Sequence, residues 1–587
     1  MSSEEFVFSK TYGDHADGNP TLATFLNYHD QILDARNHQY NPWVQLLRVP
    51  FSPFYSRPIL KFLLKYYRVH STRDSLQYAI RLLKTEDRAM GLRAQKILYR
   101  ILSLQNTDPT SPYYGVWPKY WEETISGISQ PDLNWANFLG SYLLLVSLEY
   151  RQRLPSALIT QVDKSVIHAA RAIQRRNVPL NYTNIAVLGV YVTLVAGETY
   201  GIDDLYEYGF TRLHQIHHNT MRQGMFTEYN SPVYGVTTLD AFGRLRLHVR
   251  DAQAKIWVED LYRLAWKNIA HYFHWPTQQW AGPHSRNYST LLKPYVLALI
   301  EQGTGGRVRF GLTEKVMLEN QWEIPLPCPV DLESDFLQIR EPCTRIKTIV
   351  NEKPQRRLTT YLTSDFTLGS VSYSDLWHQR HSLLAYWGTH ETPGYLRLRF
   401  LCDGDDFATA QFASVQKEGN VLAGLMFATD IDRRNPYVNC LSDQVIMVKD
   451  LRLRFELMGA ATDFNRSTNM LGYLECCVEG VWVQLVMAYA QFDDWIGQWE
   501  VTQQSSKTYI DWVFFSGKRR TVNLAKLGVA GMGLGVRLSC KYESIPPVKQ
   551  LVKDKILTLK WYGLSLSFSV FPNSQAFLIQ SISNDSI

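Results

Sequence analysis

The period of the apolar residues changes once along this chain, and that change constrains the fold more than any other feature. From about residue 57 to about residue 300 hydrophobic side chains recur at i, i+3 and i+4, as on one face of a helix; beyond about residue 340 they alternate, as on one face of a strand. Leu158, Val162, Val166, Ala170 and Ile173 form one helical stripe, and Leu139, Leu143 and Val146 another. The stretch from Asn184 to Thr199 is apolar nearly all round, as an inner helix is, whereas Ile202 to Met221 is amphipathic, as an outer helix is. Tyr234 to Val249 and Asp251 to Phe273 make a further pair, and Thr290 to Glu301 begins one more helix. Thr72-Arg73-Asp74-Ser75 and Thr85-Glu86-Asp87 are expected helix starts.

Gly303-Thr304-Gly305-Gly306 and Ile324-Pro325-Leu326-Pro327-Cys328-Pro329 mark a boundary. After it come strand patterns at Ile346 to Val350, Leu358 to Leu362, Leu396 to Phe400, Val481 to Val486, Leu557 to Trp561 and Leu564 to Val570. Gly531-Met532-Gly533-Leu534-Gly535 reads as a turn among them. The expected architecture is multidomain α+β: an incomplete (α/α) toroid of helical hairpins over residues 1–330, with 1–50 an irregular lead-in, then an antiparallel β-sandwich over 331–587.

Four polar-aromatic clusters punctuate the helical part: Asn134-Trp135, Asn181 to Asn184, Glu228 to Tyr234, and Gly282 to Tyr288. Each step is roughly the length of one two-helix hairpin with its loops, so the clusters are expected at one end of successive hairpins. Trp117, Tyr120, Trp121 and Trp135 are candidate platforms for sugar rings, against the plainer reading of core aromatics. The net charge of +6, with no long Lys/Arg run, suits an anionic substrate and not a dedicated nucleic-acid binder. Arg175-Arg176 and Lys518-Arg519-Arg520 read as solvated surface. The seven cysteines all lie at or after Cys328 without a CxxC pair, which points to reduced thiols and not to a disulfide framework or zinc site. The start of the chain lacks the basic and apolar regions of a secretory signal, and no apolar stretch is long enough to span a membrane. A cytoplasmic protein is expected, with non-standard export as the alternative.

Several motifs resemble the heparinase II/III and alginate-lyase-like polysaccharide lyase superfamily, from roughly residue 110 onward. They are Trp135-Ala136-Asn137-Phe138, Glu228-Tyr229-Asn230-Ser231-Pro232 with Tyr234, Gly282-Pro283-His284-Ser285-Arg286, and Asp365-Phe366-Thr367-Leu368-Gly369 followed by Trp377-His378-Gln379-Arg380. The chain departs from the alginate lyases in having no Asn-His pair within the clusters; Asn37-His38 lies in the lead-in. The resemblance implies β-elimination on a uronate-containing poly- or oligosaccharide. Such an enzyme masks the uronate carboxylate, removes the weakly acidic hydrogen beside it, and protonates the leaving oxygen.

Asn184, at a helix start, is the candidate carboxylate clamp, with an ordinary N-cap as the alternative. Tyr234 and His284 are the candidates for base and acid. A tyrosine acting as base needs a positive charge beside it, which Arg286 could supply while also binding carboxylate. Trp117, Trp121, Asn134, Trp135, Glu228, Asn230, Tyr288, His378 and Arg380 are candidate substrate-binding residues. Glu228 with Glu122 raises the rival reading of a glycoside hydrolase, which needs two facing carboxylates; a non-catalytic glycan-binding protein is the third reading. His214, His217 and His218 share a helical face, but on an outer helix, and read as a solvated face and not as a metal site. The sequence requires no cofactor and leaves open a divalent metal between the domains. The expected partner is an anionic glycan, with no nucleic acid and no membrane.

Overall fold

The computed structural model describes residues 36–51, 68–85, 87–123, 131–338, 341–350, 352, 354–430, 444–459, 461–466 and 472–583. Helix α1 (Thr72–Lys84) starts at Ser71, whose side chain accepts from the Asp74 N–H, and α2 (Arg88–Ser103) starts at Asp87, which accepts from Met90 N–H. They are followed by α3 (Asn134–Glu149), α4 (Ser156–Arg176), α5 (Thr183–Tyr200), α6 (Asp203–Gln223), α7 (Tyr234–His248) and α8 (Ala252–Tyr272). Helices α4, α5 and α6 stop at left-handed residues, Asn177, Gly201 and Gly224, which release the chain from the helical direction.

The eight helices pack as four hairpins, α1/α2, α3/α4, α5/α6 and α7/α8. Helices α1, α3, α5 and α7 pack in series as an inner row, and α2, α4, α6 and α8 as an outer row. This is an incomplete (α/α) toroid. Helix α5 is buried around its whole circumference for most of its length, and α6 keeps an exposed face, so the difference in their apolar patterns sorts them into the two layers. Because each inner helix is followed by an antiparallel outer one, all inner helices run the same way. Their N-termini therefore collect at one end of the arc. After α9 (Pro294–Gly303) the chain crosses to the β half, which begins at Cys343.

The larger sheet has the order Gln498–Gln503, Lys507–Asn523, Val445–Met458, Pro393–Cys402, Leu383–Gly388, Phe366–Val371, Arg356–Leu362, Cys343–Ile349. The smaller has the order Ala461–Arg466, Tyr473–Val478, Val481–Phe492, Ala530–Ser539, Asn420–Phe427, Ala410–Lys417, Tyr373–Asp375. The ladders within both sheets are antiparallel. The two sheets face each other through contacts such as Phe400 with Phe427, ring centroids 5.1 Å apart, which makes a sandwich. A third sheet, Lys549–Lys553, Ile556–Trp561 and Leu564–Ser569, covers the other face of the smaller one.

That cover explains one departure from expectation. Gly531, Gly533 and Gly535 do not form a turn: they lie within strand Ala530–Ser539, at the alternate positions that face the third sheet. A Cβ there would strike Val570, Leu557 with Leu559, and Trp561 respectively, so the glycines let two sheets approach closely. The lead-in is not wholly irregular either. Tyr40–Asn41, Leu46–Pro50 and Arg68–Ser71 pair as a small antiparallel sheet, while residues 1–35 lie outside the described part. Among the described residues no helix is long and apolar enough to cross a membrane, and Cys328, Cys343, Cys402, Cys476, Cys477 and Cys540 are free thiols.

Candidate active site

Glu228 stands at the centre of the arc's N-terminal end. It is 8% exposed, and a carboxylate so placed needs partners. The second residue of α5, Asn184, supplies three of its hydrogen bonds. The Asn184 backbone N–H donates to Oε2 at 2.7 Å, and the Asn184 amide Nδ2 donates to Oε1 at 2.9 Å and Oε2 at 2.7 Å. The remaining partner is Arg286, whose Nη1 donates to Oε1 at 2.9 Å. Ion pair, helix start and side-chain amide thus converge on one carboxylate.

Arg286 distributes its other donors outward. Its Nε donates to Gln379 Oε1 at 3.0 Å and its Nη2 to the Tyr234 hydroxyl at 3.1 Å. The guanidinium lies 4.0 Å from the Tyr234 ring centroid, 5.3 Å from Tyr182 and 5.6 Å from Trp377, an aromatic cage for a cation. Burial on its own would push the Arg286 pKa down; Tyr234, Glu228 and Tyr182 outweigh it and hold the group firmly charged. Tyr234, the first residue of α7, has its hydroxyl 2.9 Å from that of Tyr288, which is 37% exposed at the mouth. His378 completes the row, its ring centroid 6.3 Å from Tyr288 and 4.8 Å from Trp377. Burial lowers the pKa of His378, with nearby Arg397 and Arg286 lowering it further against Asp406.

The structure therefore gathers Asn184, Glu228, Tyr234, Arg286, Tyr288 and His378. Asn134 is one step along the arc, donating to the Tyr182 hydroxyl at 3.1 Å and accepting from Arg176 at 2.7 Å. Asn230 is 4% exposed in a left-handed conformation, φ 38°, and neither polar atom of its side chain has a partner among the described residues. Arg380 is spent within the protein, donating to Asp375 and to the Ser285 carbonyl. Trp121 is 40% exposed and packs its edge on His70, whereas Trp135 is buried with its Nε1 donating to Thr72 Oγ1. Trp117 is a core residue, 1% exposed and bonded to the Ile101 carbonyl, and is no sugar platform. Tyr182, Trp377 and Gln379 were not singled out from the sequence; all three lie inside motifs that were.

His284 is placed differently from the expectation of an acid or base in the cleft. It is 1% exposed, pairs by backbone with His381 across the junction of the two halves, and donates from Nε2 to the Trp280 carbonyl at 2.7 Å. Burial brings its pKa from 6.5 to about 4, with Arg397 adding to the effect. A buried imidazole with a depressed pKa stays neutral in the fold and takes up a proton when the chain unfolds. Its stabilising contribution is full above 6.5 and is lost as pH falls towards 4, about 3 kcal/mol in all. Urea unfolding across that window is expected to show this acid loss, reduced in His284→Phe; an equal loss in the variant would refute it.

The same junction positions Arg286. The Asn287 N–H donates to the Gln379 carbonyl at 2.8 Å, and Thr360 Oγ1 donates to the Gly282 carbonyl at 2.7 Å. Strand Phe366–Val371 passes directly over that carbonyl at Gly369, where a Cβ would collide with Gly282 and Pro283. Gly369→Ala is therefore expected to cost about 3 kcal/mol, at the upper end for overpacking, because the obstacle is backbone. A variant unfolding within about 1 kcal/mol of the parent in urea would contradict this contact.

Among the described residues no group of three or more His, Cys, Asp or Glu side chains could hold a metal ion. His217, on the outer helix α6, pairs with Asp260 of α8 at 2.9 Å. Glu122 is held by His70 at 2.7 Å.

Residues 55–316 match a domain of unknown function, DUF8769. No curated protein matches the sequence. Among solved structures, a crystal structure of heparinase III is similar over 89% of this chain and 85% of that chain, at 10% identity and a TM-score of 0.42. A second heparinase III structure is similar over 96% of this chain and 93% of that one, at 9% identity and a TM-score of 0.38.

Proposed function

We propose that the protein is a polysaccharide lyase that cleaves a uronate-containing glycan by β-elimination at the N-terminal end of the helical arc. The observation that carries this reading is the chain of contacts from Arg286 to Tyr234 to Tyr288, at 3.1 Å and 2.9 Å, opening at the exposed mouth. A guanidinium fixed beside a phenol oxygen stabilises the phenolate, the form in which tyrosine acts as a base. Tyr234 takes the hydrogen beside the uronate carboxylate. The electron pair left behind forms the carbon–carbon double bond, the glycosidic carbon–oxygen bond breaks, and the leaving oxygen receives a proton from Tyr288 or His378.

Asn184 takes a positioning role in this reading, because its amide holds Glu228, and Glu228 holds Arg286. The substrate carboxylate meets the charge of Arg286 and donors the protein does not use itself. Trp377 Nε1 and Asn230 Nδ2 are buried without an acceptor among the described residues and fit that need. A hydrolase is less well served: Glu228 and Glu122 are both already held by neighbouring donors, which leaves neither as a free acid or base.

The test is the near-ultraviolet absorbance of purified protein against uronate polysaccharides and oligosaccharides. Elimination produces an absorbing double bond conjugated to the carboxylate. New reducing ends without absorbance would replace this reading with hydrolysis, and binding without turnover would replace it with a glycan-binding protein.

A further inference from the structure

Charged side chains gather where α1, α3, the end of α7 and residues 321–323 meet. Helix α1 presents Arg73, Gln77, Arg81 and Lys84 on one face, at helical spacing, towards α3 and the end of α7. Gln77 Nε2 donates to the Tyr142 hydroxyl at 2.7 Å, and the Arg73 guanidinium lies 4.3 Å from the Phe138 ring centroid. From α7, Arg244 enters fully buried, donating to Asp240 at 3.0 Å and lying 4.6 Å from the Tyr142 ring. The segment that closes the arc adds Glu323, 3.8 Å from Arg244. It also offers the carbonyls of Gln321 and Trp322, which accept long bonds from Arg81 and Lys84 at 3.5 Å and 3.4 Å.

Among the described residues the charges here do not balance: Arg36, Arg73, Arg81, Lys84 and Arg244 are five cations that act on one another, and Asp74, Asp240 and Glu323 are the carboxylates that act on them most strongly. Asp74 sits at the start of α1, and Arg244 consumes Asp240. Burial pushes the pKa of both Arg81 and Lys84 down, Glu323 opposes that, and neighbouring cations add to it. The unsatisfied atoms are donors as well: Arg73 Nε and Trp322 Nε1 are buried without an acceptor among the described residues. Surplus positive charge and surplus donors ask for the same thing, a compact group of several acceptor oxygens.

We propose that this cluster binds a tetrahedral oxyanion, sulfate or phosphate, either free or carried on a glycan, between α1, Arg244 and the Gln321–Glu323 segment. It lies along the inner helices, away from the Tyr234 hydroxyl, and does not depend on the lyase reading. Glu323 is the internal carboxylate with which the anion competes.

Calorimetric titration and thermal unfolding with sodium sulfate or phosphate, against sodium chloride at matched ionic strength, would test it. Saturable binding and a rise in Tm specific to the oxyanions are expected. Arg81→Gln should weaken binding about tenfold, the scale of one lost charge-assisted contact. Glu323→Gln, which keeps the volume and removes the competitor, should tighten it several-fold. Competition by a sulfated oligosaccharide but not its desulfated form identifies the glycan-borne group, and its failure to compete identifies the free ion. No response beyond that of chloride, or a response unchanged in both variants, overturns the proposal.

Discussion

Tyr234→Phe is expected to remove the near-ultraviolet product signal, a loss of about 10²–10⁴-fold in kcat, while the protein stays folded. The substitution deletes one oxygen and keeps the ring. The Arg286 cation therefore retains its aromatic neighbour, 4.0 Å from the centroid, and the Glu228–Arg286 pair is untouched. What disappears is the group between the guanidinium and Tyr288 that exchanges a proton. Because the loss falls on proton transfer and not on binding, KM should change much less than kcat. Activity within about tenfold of the parent would remove Tyr234 from the chemistry, and the proposed mechanism with it. Tyr288→Phe serves as the internal comparison: if Tyr288 only relays a proton that His378 can also supply, its loss should be the smaller of the two.

Arg286→Met is expected to cost about 3 kcal/mol of stability together with activity. Glu228 and Arg286 expose only 7% and 15% of their side chains, and removing one member of a buried pair leaves the other charge uncompensated. The cost belongs at the low end for such pairs because Asn184 still donates three hydrogen bonds to Glu228. The double variant Glu228→Gln with Arg286→Met separates the two roles. It has no buried charge to strand, so urea unfolding should recover most of the lost stability. Turnover should stay absent, because the cation beside Tyr234 is gone. Recovery of both would mean that Arg286 serves the fold alone; recovery of neither would mean that its contacts with Tyr182, Trp377 and Gln379 outweigh the ion pair.

Local pattern carried much of the architecture. The amphipathic stripe of α4 and the all-round apolar α5 reflect the environments those helices occupy, because a helix exposes or buries its own residues at a fixed period. Strands such as Pro393–Cys402 and Leu564–Ser569 were legible for the same reason. Where burial depended on a distant segment, the pattern misled. The glycines of strand Ala530–Ser539 looked like a turn because their reason lies in Leu557, Leu559 and Trp561, on a sheet formed later in the chain.

The site divides along the same line. The sequence by itself determined that polar-aromatic clusters recur at hairpin spacing, so that Asn184 and Tyr234 both stand at the start of inner helices. Only the tertiary structure decided what each side chain does there. It turned the Asn184 amide onto Glu228, put Arg286 beside the Tyr234 hydroxyl, and sank His284 against His381 while leaving His378 near the mouth. The physical reason is that helical period and hairpin length are properties of neighbouring residues, whereas charge pairing and burial belong to residues from four separate segments. No local signal records that the β half will cover His284 while its own His378 stays near the mouth.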